Sequence, residues 1–168
     1  MIINNEAVTV YLSLGTNLGD REGNLKKALD FISQRLRLGA VSSVYESDPE
    51  GGVTQPRYLN QVIETFTRLA PKDLLVVAKN IELKLGRTGG SGEPRTIDID
   101  ILLFGDQAMS TPELIIPHQR LDQRAFILVP LAEIAPGVVH PVLKKTIKDL
   151  LGAAKGVGGV SKFKTGTD

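Results

Sequence analysis

Cysteine and tryptophan are both absent from this 168-residue chain, and only two histidines, three tyrosines and five phenylalanines are present. Without cysteine there are no disulfides, no thiolate nucleophile and no thiolate-ligated zinc, which fits a reducing cytoplasm. No apolar stretch reaches the ~18 residues that a membrane helix requires. The first residues show no basic segment followed by an apolar run, so no secretory leader is expected. A net charge of +1 provides no long-range attraction to nucleic acid or to an anionic membrane, and any anion site must be local. The expectation is a soluble cytoplasmic protein with neither kind of partner. Its 42% hydrophobic and 23% charged residues suit one globular domain over 1–168, with a core at about 8–153 and a mobile tail over 154–168.

What is present is concentrated in Glu93-Pro94-Arg95-Thr96-Ile97-Asp98-Ile99-Asp100-Ile101-Leu102-Leu103-Phe104-Gly105. This reads as an apolar strand carrying two carboxylates at alternate positions. Side chains at i and i+2 share a face, about 6.6 Å apart along the strand. Asp98 and Asp100 therefore project together, opposite Ile97, Ile99 and Ile101. Adjacent carboxylates repel, and a hard divalent cation relieves that repulsion; Mg²⁺ typically takes one or two carboxylates plus substrate phosphates. Arg95 offers a planar fork suited to phosphate. A solvent-facing acidic pair on an edge strand is the plainer alternative, and the dense apolar flanks count against it.

Elsewhere, Val8, Val10, Leu12 and Leu14 alternate with Thr9, Tyr11 and Ser13 as in a half-buried strand, ended by a turn at Gly15-Thr16-Asn17. From Asp20 the period becomes helical through Leu25, Ala28, Leu29, Ile32 and Leu36, with Gly39 closing the helix. Val41 to Tyr45 reads as a strand, 46–57 as a turn-rich loop, and Leu59 to Thr67 as another strand. Pro71 opens a second amphipathic helix, capped by Gly86. Thr88 to Gly92 reads as a flexible lid rather than a P-loop, because it lacks the Lys-Ser or Lys-Thr and leads into a strand. Residues 114–118 look extended, Ala125 to Ile134 short-helical, and Thr146 to Ala154 helical. Two strand–helix–strand units in succession predict an α+β, ferredoxin-like sandwich with a mainly antiparallel sheet.

Several residues outside the acidic strand carry potential chemistry. Arg87 and Arg95 bracket the glycine run beside the carboxylate pair, an arrangement suited to a polyphosphate. A lone histidine is usually structural, yet His118 lies on an irregular segment with Arg124, and loop cations lean toward ligand binding. Tyr58 at a loop–strand junction serves equally well as a stacking surface or as core. Asn60 offers a donor and an acceptor to a heterocycle edge. Phe126 is either the opposing ring or core.

In series, several segments resemble the 6-hydroxymethyl-7,8-dihydropterin pyrophosphokinases of folate biosynthesis. They are Gly15-Thr16-Asn17, Ser43-Val44-Tyr45, Gln55 to Asn60, Ile81-Glu82-Leu83 with Gly86-Arg87, Pro94-Arg95 with Asp98 and Asp100, and Pro117-His118 with Arg124-Ala125-Phe126. The resemblance runs from about Val10 to Pro141. It implies transfer of the β,γ-pyrophosphoryl group of ATP to the pterin hydroxymethyl, with AMP released and no obligate protein partner. It further implies two Mg²⁺ ions held by Asp98 and Asp100, and charge stabilisation by Arg87 and Arg95. ATP contacts would come from Glu82, Arg95, His118 and Arg124. Tyr58 and Phe126 would sandwich the pterin, with Asn60 and the backbone near Ser47 reading its edge. Departures from the family pattern include a short lid, 88–93, without tryptophan or arginine, and acidic Asp48 and Glu50 in the other loop. A non-catalytic pterin or nucleotide sensor on the same scaffold is the alternative that the depleted lid suggests. An RNA-binding module would need adjacent exposed aromatics and a basic face, which the chain lacks.

Overall fold

A computed structural model describes residues 6–52, 54–86 and 96–164. The alternating segment at the start is strand β1, Val8–Thr16, which runs through the expected turn at Gly15. Helix α1 covers Arg21–Ser33; the Asp20 carboxylate caps it by accepting the Gly23 N–H at 3.0 Å. Its buried stripe of Leu25, Ala28 and Ile32 repeats at helical spacing. Gly39 does not close this helix, which ends five residues earlier at Gln34. Instead Gly39 lies in strand β2, Arg37–Val41, where a Cβ would come within 2.2 Å of Glu64 Oε1 and 2.8 Å of Phe66. Glycine is present because the neighbouring strand passes too close for a side chain.

The strand expected over 41–45 is divided differently. Strand β3 is Tyr45–Ser47, and both β2 and β3 pair with strand β4, Tyr58–Thr67. Between them Ser42 replaces part of the ladder: its hydroxyl accepts the Val62 N–H at 2.9 Å, and its carbonyl accepts from Gln61 Nε2 at 3.0 Å. Helix α2, Pro71–Lys84, begins on proline as expected, and Gly86 follows it with φ +85°. The acidic segment is strand β5, Asp98–Phe104. A two-residue hairpin, β6 Met109–Ser110 with β7 Ile115–Ile116, follows, and the Ile116–Pro117 peptide is cis. Helices α3, Ala125–Ile134, and α4, Ile147–Ala153, match the sequence reading closely.

The main sheet runs β5-β1-β4-β3, with β2 also alongside β4, and every pairing is antiparallel. This split β-α-β order is the ferredoxin-like α+β sandwich. Val10, Leu12, Leu14, Ile97, Ile99 and Ile101 pack one sheet face against α1 and α2. Tyr11, Val62, Leu102 and Leu103 pack the other face against α3 and α4. Helices therefore cover both faces. Consecutive Leu102 and Leu103 share a face because the β1–β5 register shifts between Tyr11 and Leu12, a β-bulge. The tail, expected to be mobile from 154, comes back to the sheet: β8, Ser161–Lys162, pairs with β3, and the Phe163 N–H donates to Val44 O at 2.9 Å. Among the described residues, no helix is long and apolar enough to cross a membrane.

Candidate active site

Cross-strand register places the acidic pair. Asp98 lies opposite Gly15, which lies opposite Asn60, while Asp100 lies opposite Ser13, which lies opposite Val62. Directly paired residues share a face, so both carboxylates face the α3 side, with Ile97, Ile99 and Ile101 in the core behind them. Where β5 enters the sheet, a cavity of about 370 Å³ opens between this face and the start of α3. Asp98, Asp100, Tyr58, Asn60, Arg124 and Phe126 all line it. Gly15 is part of its floor. A Cβ there would meet the Tyr58 ring at 3.7 Å and Asn60 Oδ1 at 3.8 Å, so glycine keeps the floor low between the strand side chains.

The expected pterin residues are thus brought together. Tyr58 approaches from β4 and Phe126 from the first turn of α3. Asn60 and Ser47 are both buried, and Asn60 Nδ2 donates to Ser47 Oγ at 2.8 Å. That bond fixes the amide and leaves its carbonyl oxygen on the Gly15 side. The loop above is tied down at both ends. Asn17 Nδ2 donates to Gln55 Oε1 and to Pro56 O at 3.1 and 3.2 Å. Glu46 accepts from Arg21 and from Arg57, each at 2.8 Å.

A second cavity of about 360 Å³ shares Asp100, Arg120 and Arg124 with the first. Its other walls include Lys79, Ile101, Leu114 and His118. His118 Nε2 lies 3.9 Å from Asp100 Oδ2, too far for a hydrogen bond. Its Nδ1 accepts the Arg120 N–H at 3.1 Å, which leaves the proton of the neutral ring on Nε2. Burial, then the Arg124 charge, lowers the His118 pKa and favours that neutral form.

Asp100 is a strongly perturbed carboxyl. Burial first, then the charges of Asp98 and Glu82, push its pKa up to about 7, against the opposing pull of Lys79 and Arg124. Two hard oxygen donors whose joint ionisation is costly make a donor set that fits a divalent cation. Among the described residues no group of three such side chains could hold an ion by itself.

Other expectations fare differently. Arg87, Arg95 and the lid 88–93 lie outside the described residues. Glu82, expected at ATP, lines neither cavity. It is buried on the α2 stripe with Leu74, Ala78 and Ile81; its Oε2 accepts the Ile99 N–H at 2.9 Å, and its Oε1 lies 3.3 Å from Lys79 Nζ. The heptad-like spacing of 74, 78, 81 and 82 already carried that signal. Sequence reasoning missed Arg120 and Lys79, both cavity-lining cations. Arg120 could have been found from the cluster His118, Arg120, Arg124, whereas Lys79 has no local sign.

The model of one protein family, described as 7,8-dihydro-6-hydroxymethylpterin-pyrophosphokinase (HPPK), matches residues 11–136. The chain is 42% identical over 142 residues to the 2-amino-4-hydroxy-6-hydroxymethyldihydropteridine pyrophosphokinase of Aquifex aeolicus, covering 84% of this chain and 89% of that one. It is 45% identical over 135 residues to the protein of the same name from Pseudomonas aeruginosa, covering 79% and 83%. A crystal structure of Plasmodium falciparum HPPK-DHPS superposes with a TM-score of 0.75 at 21% identity. That match covers 89% of this chain and 46% of the Plasmodium chain, and at such identity it speaks for the fold alone.

Proposed function

The chain belongs to the HPPK family, and from that premise we propose how its side chains divide the reaction. The protein transfers pyrophosphate from ATP to 6-hydroxymethyl-7,8-dihydropterin in folate biosynthesis, giving the pterin diphosphate and AMP. The observation that carries the proposed division is that two cavities meet at one carboxylate, Asp100. One, between Tyr58 and Phe126, has the aromatic walls and amide edge that suit a pterin. The other, with the cations Lys79, Arg120 and Arg124 and the neutral donor His118, suits a polyphosphate. Transfer between two bound substrates requires their reacting ends to meet, and Asp100 marks that junction.

Asp98 and Asp100 would hold two Mg²⁺ ions, which would supply charge neutralisation for the triphosphate and a lower pKa for the attacking hydroxyl. Tyr58 and Phe126 stack on the pterin and exclude water from its faces. Asn60, oriented by Ser47, reads the heterocycle edge with its free carbonyl. His118 presents its Nε2–H to a phosphate oxygen, a neutral donor that adds no charge beside Arg124. Arg124, with Arg95, takes the nucleotide phosphates. Arg87 and Arg95 offset the charge that develops on the transferred group. The whole of 1–168 serves as one catalytic domain acting in the cytoplasm.

The test is AMP release from ATP and Mg²⁺ with and without hydroxymethyldihydropterin. AMP is expected only with the pterin present. Asp98→Ala should lower turnover at least about a thousandfold, as loss of a principal charge-stabilising group does. Full activity in that variant, with unchanged Mg²⁺ dependence, would remove the metal role from the pair.

A further inference from the structure

Glu50 stands in the loop between β3 and β4, on the wall of the cavity that also contains Arg124. Its Oε1 lies 3.0 Å from Arg124 Nε. The approach lies off the N–H direction, so Arg124 Nε is buried without a hydrogen-bond partner among the described residues. The two charges thus touch without a directed bond, which makes this a weaker contact than a bidentate arginine–carboxylate pair. The Arg124 side chain is 21% exposed, whereas Glu50 is 48% exposed and able to swing into water. Directly after it come Gly51 and Gly52, with φ +74° and +67°, left-handed conformations that residues with side chains rarely adopt. A Cβ would meet nothing at either glycine, so backbone conformation rather than space selects them.

We propose that Glu50 is a displaceable internal anion: it holds the place of a substrate phosphate on Arg124 and is released when the nucleotide arrives. The proposal rests on the reading of Arg124 as a phosphate contact and adds a regulatory residue to it. Without nucleotide, the Glu50 carboxylate offsets the charge of a guanidinium whose buried Nε has no directed partner among the described residues. A phosphate offers Arg124 more charge and better-aligned acceptors, so the exchange favours the nucleotide once it is bound. Some binding energy is spent on the exchange, and the loop carrying Asp48 and Glu50 is freed from the start of α3 in the same step. Nucleotide occupancy and the state of the pterin-side loop are thereby coupled through one ion pair.

Two single variants and a calorimeter test it. Glu50→Gln removes the competing charge from Arg124. Asp48→Asn removes an equal charge from the same loop, but from a carboxylate that pairs with Arg57, 3.0 Å from its Nε. Titrated with Mg²⁺ and a non-hydrolysable ATP analogue, Glu50→Gln should bind about threefold to tenfold more tightly than wild type, the range of a partly exposed ion pair. Asp48→Asn should stay within about twofold of wild type, and the Glu50→Gln gain should shrink at high salt. Equal tightening in both variants would mean a general field effect and would overturn the latch. No tightening in Glu50→Gln, with normal analogue binding and AMP release by wild type, would overturn it as well. Failure of wild type to bind the analogue at all would instead strike the assignment of the phosphate site.

Discussion

Replacing Asp100 by asparagine should make the metal-free protein more stable while destroying its activity. Burial, Asp98 and Glu82 raise the Asp100 pKa to about 7 from an ordinary value of 3.8. At 1.36 kcal/mol per unit, that gap is about 4 kcal/mol of preference for the protonated form. The side chain is 34% exposed, and allowing for solvent screening roughly halves the figure, to about 2 kcal/mol. The sign follows from linkage. A carboxyl whose folded pKa lies above its unfolded value burdens the fold only where the unfolded chain would ionise, so the cost is absent below pH ~4 and complete above pH ~7. In EDTA near pH 8, Asp100→Asn should therefore gain about 2 kcal/mol in urea denaturation, or about 4–8 °C in Tm for a chain of this size. The gain should diminish steadily as the pH is lowered towards 4. Saturating Mg²⁺ with an ATP analogue should stabilise wild type and leave the variant largely unmoved. An asparagine variant less stable than wild type near pH 8, or equally more stable at both ends of the range, would refute the reasoning.

Phe126→Ala should weaken pterin binding about tenfold to a hundredfold by equilibrium titration and leave ATP-analogue affinity within about twofold, because the ring lines only the first cavity. Gly39→Ala should cost about 1–3 kcal/mol in chemical denaturation. The new methyl displaces Glu64, whose carboxylate accepts from Ala40 N at 3.1 Å and from Tyr11 OH at 3.0 Å. Glu133→Gln should cost about 1 kcal/mol at neutral pH. Although burial acts to raise the Glu133 pKa, hydrogen bonds from Ser43 and Tyr45 outweigh it and hold the carboxyl below its usual 4.5. That contribution is present above pH ~4.5 and lost as pH falls through the folded value, so the gap between variant and wild type should narrow in acid. A gap that widens in acid would contradict it.

Local pattern made much of this molecule legible. The period-2 run at Val8, the proline that opens α2, and the apolar block of α3 each depend on neighbours in sequence, and each lies where the pattern puts it. The acidic pair was legible for the same reason, since alternation alone sets Asp98 and Asp100 on one face. Features set by distant chain were not legible. Gly39 looks like a helix terminator until Glu64 and Phe66 are seen beside it. A two-residue strand such as β6 is too short to leave a periodic signature. Glu50 reads as a surface acid because its partner, Arg124, lies 74 residues further along the chain. Glu82 lies on the buried stripe of α2, a position that the 74, 78, 81 spacing signals, while its expected place at the nucleotide came only from the family resemblance.

The return of β8 to β3 reaches beyond the tail itself. It occupies the outward-facing main-chain groups of Tyr45 and Glu46, immediately before Ser47. A chain shortened before residue 161 would leave that rim bare, and an unpaired rim recruits strands from other molecules. Loss of the tail should therefore be felt first as self-association in concentrated solution, with molecules joining beside the cavity that Ser47 lines.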